Sequence, residues 1–177
     1  MTKTKETSLP AWDRGRLHVL VDTPAGSAVK FKFDEDKGCY TVSHILTPGM
    51  VFPFDFGSIP STAAEDGDPL DVLVIAEAPT FPGCLVPVRL IGALEAKQTQ
   101  EGKTLRNDRL LGVAAESRRY ADLHTITDAP GRLLDELEHF FVSYNQARGR
   151  KFRILRRVGP AGAKKLVAAA ERRFKSK

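Results

Sequence analysis

The chain has 177 residues, is 42% hydrophobic and carries a net charge of +5, which suits one folded domain and excludes wholesale disorder. Its apolar runs are too short to span a bilayer, and the opening MTKTKETSLPAWDRG lacks an apolar signal core, so neither membrane insertion nor secretion is expected. Only Cys39 and Cys84 occur, without metal-type spacing, which suits buried thiols in a reducing cytoplasm.

In chain order, LHVLVDTP alternates as a strand that ends at Pro24. AVKFKFD alternates again, with Val29, Phe31 and Phe33 on one face and Lys30 and Lys32 on the other. DEDKG turns the chain and CYTVSHIL returns it, which predicts a hairpin. The stretch TPGMVFPFDFGSIPSTAAEDGDP is rich in Gly, Pro and Asp and predicts an extended, ordered loop. DVLVIAEA, LVPVRLIGALEA and RLLGVAA predict three more strands. After TDAPGR the period becomes helical, with Leu133, Leu134, Leu137, Phe140, Phe141 and Tyr144 on one face. Asp128 is the expected helix cap, with Pro130 in the first turn. A second helix is expected within AGAKKLVAAAERRF. Strands first and helices last predict a mainly β protein, a small five-stranded barrel flanked by two C-terminal helices.

Charge is unevenly spread. Gln146–Lys177 holds 12 of the 27 Lys/Arg but only Glu171 of the 22 acids. The body is therefore acidic by six charges and the C-terminal segment basic by eleven. This predicts three parts: an N-terminal extension (1–16), the barrel domain with its helix (17–147), and a basic C-terminal helix or tail (148–177). The tail reads either as a solvated helix face or as a weak polyanion-binding surface, with Phe152 able to stack on single-stranded nucleic acid.

The densest chemistry lies in DGDPLD, where Asp66, Asp68 and Asp71 border the apolar run VLVIAEA. Carboxylates this close repel, and each resists ionising when dry. A divalent cation resolves the conflict, and hard oxygen donors select magnesium, manganese or calcium. A helix-loop-helix calcium loop fits poorly. Counting from Asp66, the position that demands glycine is Asp71.

DxDPxD leading into a buried strand resembles the signature of the soluble family I inorganic pyrophosphatases. The resemblance continues through VDTPAGSAVKFKFD, MVFPFDFGSI and TITDAPGRLLDELEHFFVSYN, in the family's order, over about Leu17–Asn145. It implies an OB-like five-stranded barrel and metal-dependent hydrolysis of pyrophosphate. The cofactor would be Mg2+, with Mn2+ as the alternative, in a cytoplasmic homo-oligomer for which a hexamer is the family's bacterial form. By this resemblance Asp68 is the catalytic base and Asp66, Asp71 and Asp22 are metal ligands. Lys30, Arg109, Tyr144, His44 and Lys32 are phosphate-binding.

Departures from the family pattern are many. Lys32 stands for a metal-side glutamate, His44 for an arginine, Phe52 and Phe56 for tyrosines, and Asp55 for an asparagine. Asn145 stands for a lysine, while Asn107 and Gln98 stand for two metal-binding aspartates, with Glu101 and Asp108 as nearby substitutes. If those matches hold, the site is more positive by about two charges. Two functions follow as expectations: slow or altered pyrophosphate hydrolysis, or a non-catalytic relative that binds a phosphorylated ligand or nucleic acid. Taken on their own, Lys30 and Lys32 also suit the wet face of an edge strand, and His44 a structural role.

Overall fold

The computed structural model describes residues 9–176, so the first eight residues of the expected N-terminal extension lie outside the described residues. Ten strands and two helices follow in order. The strands are β1 (Trp12–Asp13), β2 (Arg16–Thr23), β3 (Val29–Asp34), β4 (Cys39–Ile45), β5 (Asp55–Ser58), β6 (Asp71–Ile75), β7 (Leu85–Gln100), β8 (Lys103–Arg106), β9 (Arg109–Ala114) and, after the first helix, β10 (Lys151–Val158). The helices are α1 (Gly131–Gln146) and α2 (Pro160–Lys175).

Five strands pair around a ring: β2 with β5, β5 with β6, β6 with β9, β9 with β7, and β7 back to β2. The protein is thus mainly β with two helices, and the ring resembles an OB-like barrel. The predicted hairpin forms as β3–β4, but as a separate two-stranded sheet. Strand periodicity feeds two apolar clusters. In β6, Leu73 and Ile75 join α1 residues Leu134, Leu137, Phe141 and Tyr144. Val72 and Val74 join Leu17, Val19 and Val21 of β2, together with Ala163, Val167 and Ala170 of α2.

Several elements differ from the sequence-based expectation. The presumed loop contains β5, which crosses so close to β2 that a Cβ on Gly57 would lie 2.1 Å from the Leu20 carbonyl oxygen. Only glycine fits there. Asp128 caps a 3-10 turn over Ile126–Asp128 with Thr125, and Pro130 is the N-cap of α1. Cys39 is exposed rather than buried.

The largest difference is the basic segment. Lys151–Val158 is not a tail but a strand paired with β7, and Phe152 is buried in the α1 cluster. Arg156 bonds Glu95, and Arg157 bonds Asp135 and Glu138. These cations are therefore engaged internally, which leaves less free charge for a polyanion than the composition suggests. Among the described residues no helix is long and apolar enough to cross a membrane.

Candidate active site

The acidic loop is shaped by its own backbone. The buried Thr62 hydroxyl donates to the Ile59 carbonyl (2.7 Å) and accepts from the Leu70 amide (3.1 Å). The Ile59 amide meets the Leu70 carbonyl (2.9 Å), and the Ala64 amide meets the Asp68 carbonyl (2.7 Å). Gly67, at φ +91°, makes the reversal that an L side chain rarely adopts. The Ala63 amide donates to the Ala170 carbonyl of α2 at 3.0 Å, so the C-terminal helix helps hold this loop.

Asp66, Asp68 and Asp71 open onto one cavity of about 930 Å³. The same cavity is lined by Asp22 of β2, Lys30 and Lys32 of β3, His44 of β4, Arg109 of β9 and Tyr144 of α1. All nine residues singled out in the sequence therefore share one space. Which role each plays is a separate question.

Burial raises the pKa of Asp66 above the usual carboxylate range, and the charges of Asp68 and Asp71 add to the effect. The Asp68 amide donates to Asp66 Oδ1 at 3.2 Å, which opposes it. Asp68 itself meets Lys32 Nζ at 3.3 Å, with both side chains largely exposed. Asp71 and Arg109 begin neighbouring parallel strands in register. Arg109 donates to Asp71 (2.6 Å), to the Asp108 carbonyl (3.0 Å) and to Asn107. Its guanidinium carbon lies 5.3 Å from the ring centres of both Phe141 and Phe152, and its Nε has no partner.

Lys30 follows the same logic. Its Nζ sits 4.1 Å from the Phe56 ring centre and 5.9 Å from that of Phe52. Burial lowers its pKa, while Asp22 and Asp71 oppose that. The two phenylalanines thus present ring faces to a cation rather than hydroxyls to an anion. Tyr144 packs on Phe52 and Phe140, and burial raises its phenol pKa.

The two neutral substitutes face each other. Asn107 Nδ2 donates to Gln98 Oε1 at 2.9 Å, and Asn107 accepts from Arg109. Together they orient the arginine. Asp108 is turned away, accepting from the Ala96 amide and pairing with Arg106. Asp55 is structural as well. Buried, it accepts from the Ala25 amide, the Thr80 amide and the Thr80 hydroxyl. Asn145 is buried, donating to the Phe141 carbonyl at 2.8 Å.

Arg148 and Arg150 also line the cavity and were not anticipated as site residues. The one available signal was helical spacing, since Arg148 lies four residues beyond Tyr144.

A family model described as inorganic pyrophosphatase matches residues 19–175. An inorganic pyrophosphatase from Synechocystis is 40% identical over 141 residues, covering 80% of this chain and 81% of the relative. One from Geobacillus stearothermophilus is 35% identical over 157 residues, covering 89% and 93%. The crystal structure of the Thermus thermophilus inorganic pyrophosphatase superposes with a TM-score of 0.88 at 33% identity, covering 97% of this chain and 99% of that one.

Proposed function

The chain belongs to the inorganic pyrophosphatase family, and from that premise we propose that it hydrolyses inorganic pyrophosphate to two phosphates in the cavity described above. The observation that carries this reading is the convergence of Asp22, Asp66, Asp68 and Asp71 with a set of cations and hydroxyls on that one space.

The carboxylates suit magnesium in a particular way. Among the described residues no group of three or more His, Cys, Asp or Glu side chains forms a ready metal cage. Magnesium is commonly held by one or two carboxylates plus substrate phosphates and water, not by an all-protein cage. Asp66, whose pKa is raised first by burial and then by the charges of Asp68 and Asp71, is a carboxylate whose charge a bound cation would relieve, and it fits that mode. Asp71 and Asp22 would complete the donors, and manganese is the alternative ion. When bound, the ion supplies charge neutralisation and a lowered pKa for the attacking water.

The chain's own groups do the rest. Asp68 accepts the proton as water oxygen bonds to one phosphorus and the bridging P–O bond breaks. The departing phosphate leaves with the bridging oxygen. Lys30, Arg109, Tyr144, His44 and Lys32 hold the phosphoryl oxygens and the charge that gathers on them. The Lys32–Asp68 ion pair supports slow turnover, because the base starts each cycle bonded to an ammonium. An exposed free thiol at Cys39 fits a reducing cytoplasm. A homo-oligomer, with a hexamer as its size, rests on the family resemblance alone.

Phosphate release from pyrophosphate and from nucleotides, each with magnesium and with manganese, tests the reading. Release from pyrophosphate with either ion is expected. No release under any condition, from protein that binds pyrophosphate, supports a non-catalytic phosphate-binding relative instead.

A further inference from the structure

Strand β3, strand β7 and the link between β8 and β9 bring Lys32, Gln98 and Asn107 to the cavity wall. The family resemblance gives all three positions to metal-side acids. In this chain each is committed to a contact that opposes a cation. Lys32 Nζ lies 3.3 Å from Asp68 Oδ1, and an ammonium there repels any further positive charge. Gln98 Oε1 accepts from Asn107 Nδ2 at 2.9 Å, and Asn107 Oδ1 accepts from Arg109. Both amide oxygens thus already face an N–H donor. To ligate an ion, Asn107 would have to release the guanidinium.

That guanidinium is held from several sides. Parallel strand register sets Arg109 beside Asp71, and the rings of Phe141 and Phe152 pack against it. Its Nη1 lies 2.6 Å from Asp71 Oδ2, so one oxygen of that carboxylate is taken. Charge then limits the number of ions. Asp22, Asp66, Asp68 and Asp71 share the cavity with Lys30, Lys32 and Arg109, so four formal negative charges meet three positive ones. One divalent ion reverses that balance. A second would add like-charge repulsion before any phosphate arrives. Asp68 and Asp71 each pair with a cation, whereas Asp66 forms no ion pair among the described residues. The single ion therefore falls to Asp66, with Asp22 and the remaining oxygen of Asp71.

We propose that the substrate-free chain holds a single divalent cation, and that Lys32 and Arg109 supply, as fixed side-chain charges, what further ions would supply toward pyrophosphate. This rests on the reading of the cavity as a pyrophosphate site. Asn107 and Gln98 are positioning residues in this arrangement. They hold Arg109 against Asp71 and close the space that two carboxylates would open to a second ion. Fixed charges need no free metal, so the phosphoryl oxygens are met at metal concentrations too low to fill another site.

The test is titration of manganese into the metal-free full chain, with the free ion read by electron paramagnetic resonance. One bound ion per chain is expected. Two variants should each raise that count to two. Lys32→Glu replaces the ammonium beside Asp68 with a carboxylate, and the double variant Gln98→Asp, Asn107→Asp replaces both amides. The Lys32 side chain is 64% exposed, so should the double variant fail to fold, Lys32→Glu carries the test with the wild-type count. A wild-type chain that binds two or more ions, or none, overturns the proposal. So does a count that stays at one in every folded variant, because the three side chains then do not set the number. One bound ion with no pyrophosphate hydrolysed leaves the single-ion site standing and removes the hydrolytic reading. Two bound ions with pyrophosphate hydrolysed does the reverse.

Discussion

Arg109 and Asp71 begin two parallel strands in register, and Arg109 Nη1 lies 2.6 Å from Asp71 Oδ2. Strand pairing, rather than rotamer choice alone, brings the two charges together. The Arg109 side chain is only 6% exposed, while that of Asp71 keeps 29%. Removing one member of a buried pair typically costs 3–5 kcal/mol, because the other is left unpaired. Asp71 retains some water, so Arg109→Met should cost about 3 kcal/mol, near the lower limit of that range. Urea unfolding measures this, and an unchanged midpoint would show that the aromatic packing alone fixes the site.

Asp66 makes a prediction of opposite sign. Its folded-state pKa lies above the ordinary carboxylate value, so the folded state holds this proton more tightly than the unfolded one. The penalty is present at neutral pH, where the carboxylate is ionised in both states, and is relieved as pH falls through the folded pKa. Asp66→Asn should therefore raise the melting temperature of metal-free protein at pH 7 and leave it nearly unchanged well below the carboxylate range. An asparagine oxygen can still accept from the Asp68 amide. The same substitution should remove most of the stabilisation that magnesium gives, which for the unsubstituted chain is about 2.7 kcal/mol at a hundred times the dissociation constant. A lower melting temperature in metal-free protein at pH 7 would refute the sign.

Asp68 should separate activity from stability. Its ion pair with Lys32 is largely exposed at both ends, and such pairs contribute about 0–1 kcal/mol. Loss of a positioned general base commonly costs roughly 10²–10⁴-fold in rate. Asp68→Asn should lower turnover on that scale while its thermal unfolding stays close to that of the unsubstituted protein. Near-normal turnover would remove Asp68 from the role of base.

Much of this site was legible because its signals are local. DGDPLD packs three acids into six residues, and the alternation in AVKFKFD puts Lys30 and Lys32 on one face. The α1 stripe places Tyr144 on the apolar face, and the family resemblance gives its hydroxyl a site role. What was illegible depends on contacts distant in sequence. Strand β5 lay hidden in a Pro/Gly-rich stretch, because the need for Gly57 comes from Leu20 across the sheet. Strand β10 was masked because Phe152 alone is buried along KFRILRRV, and its exposed charges resemble a solvated tail. Asp55 reads from sequence only as a departure from the family's asparagine, because its donors Ala25 and Thr80 lie 30 and 25 residues away. Arg148 offered only its helical spacing from Tyr144, and Arg150 gave no signal, since it reaches the cavity through a reversal at Gly149.

The C-terminal segment yields the last prediction, which reverses the sequence-based expectation. From sequence, the segment beyond Arg150 reads as an accessory surface, either a solvated helix face or a weak polyanion-binding patch. A cut after Arg150 removes a strand whose residues pair with β7 at seven positions. It also removes Phe152 and the fully buried Ala163, Val167 and Ala170 from the two cores. The hydrogen bond from the Ala63 amide, which steadies the acidic loop, loses its acceptor. The truncated chain should therefore fail to show a cooperative thermal transition by near-ultraviolet circular dichroism. Because an unfolded product says nothing about chemistry, Phe152→Ala is the sharper variant. Phe152 is 5% exposed, and truncating a buried phenylalanine costs about 3–5 kcal/mol. Its ring also lies beside the Arg109 guanidinium, so the urea midpoint and turnover per folded molecule should fall together. A truncated chain that melts like the intact protein would show that β10 and α2 are appended to the fold rather than part of it.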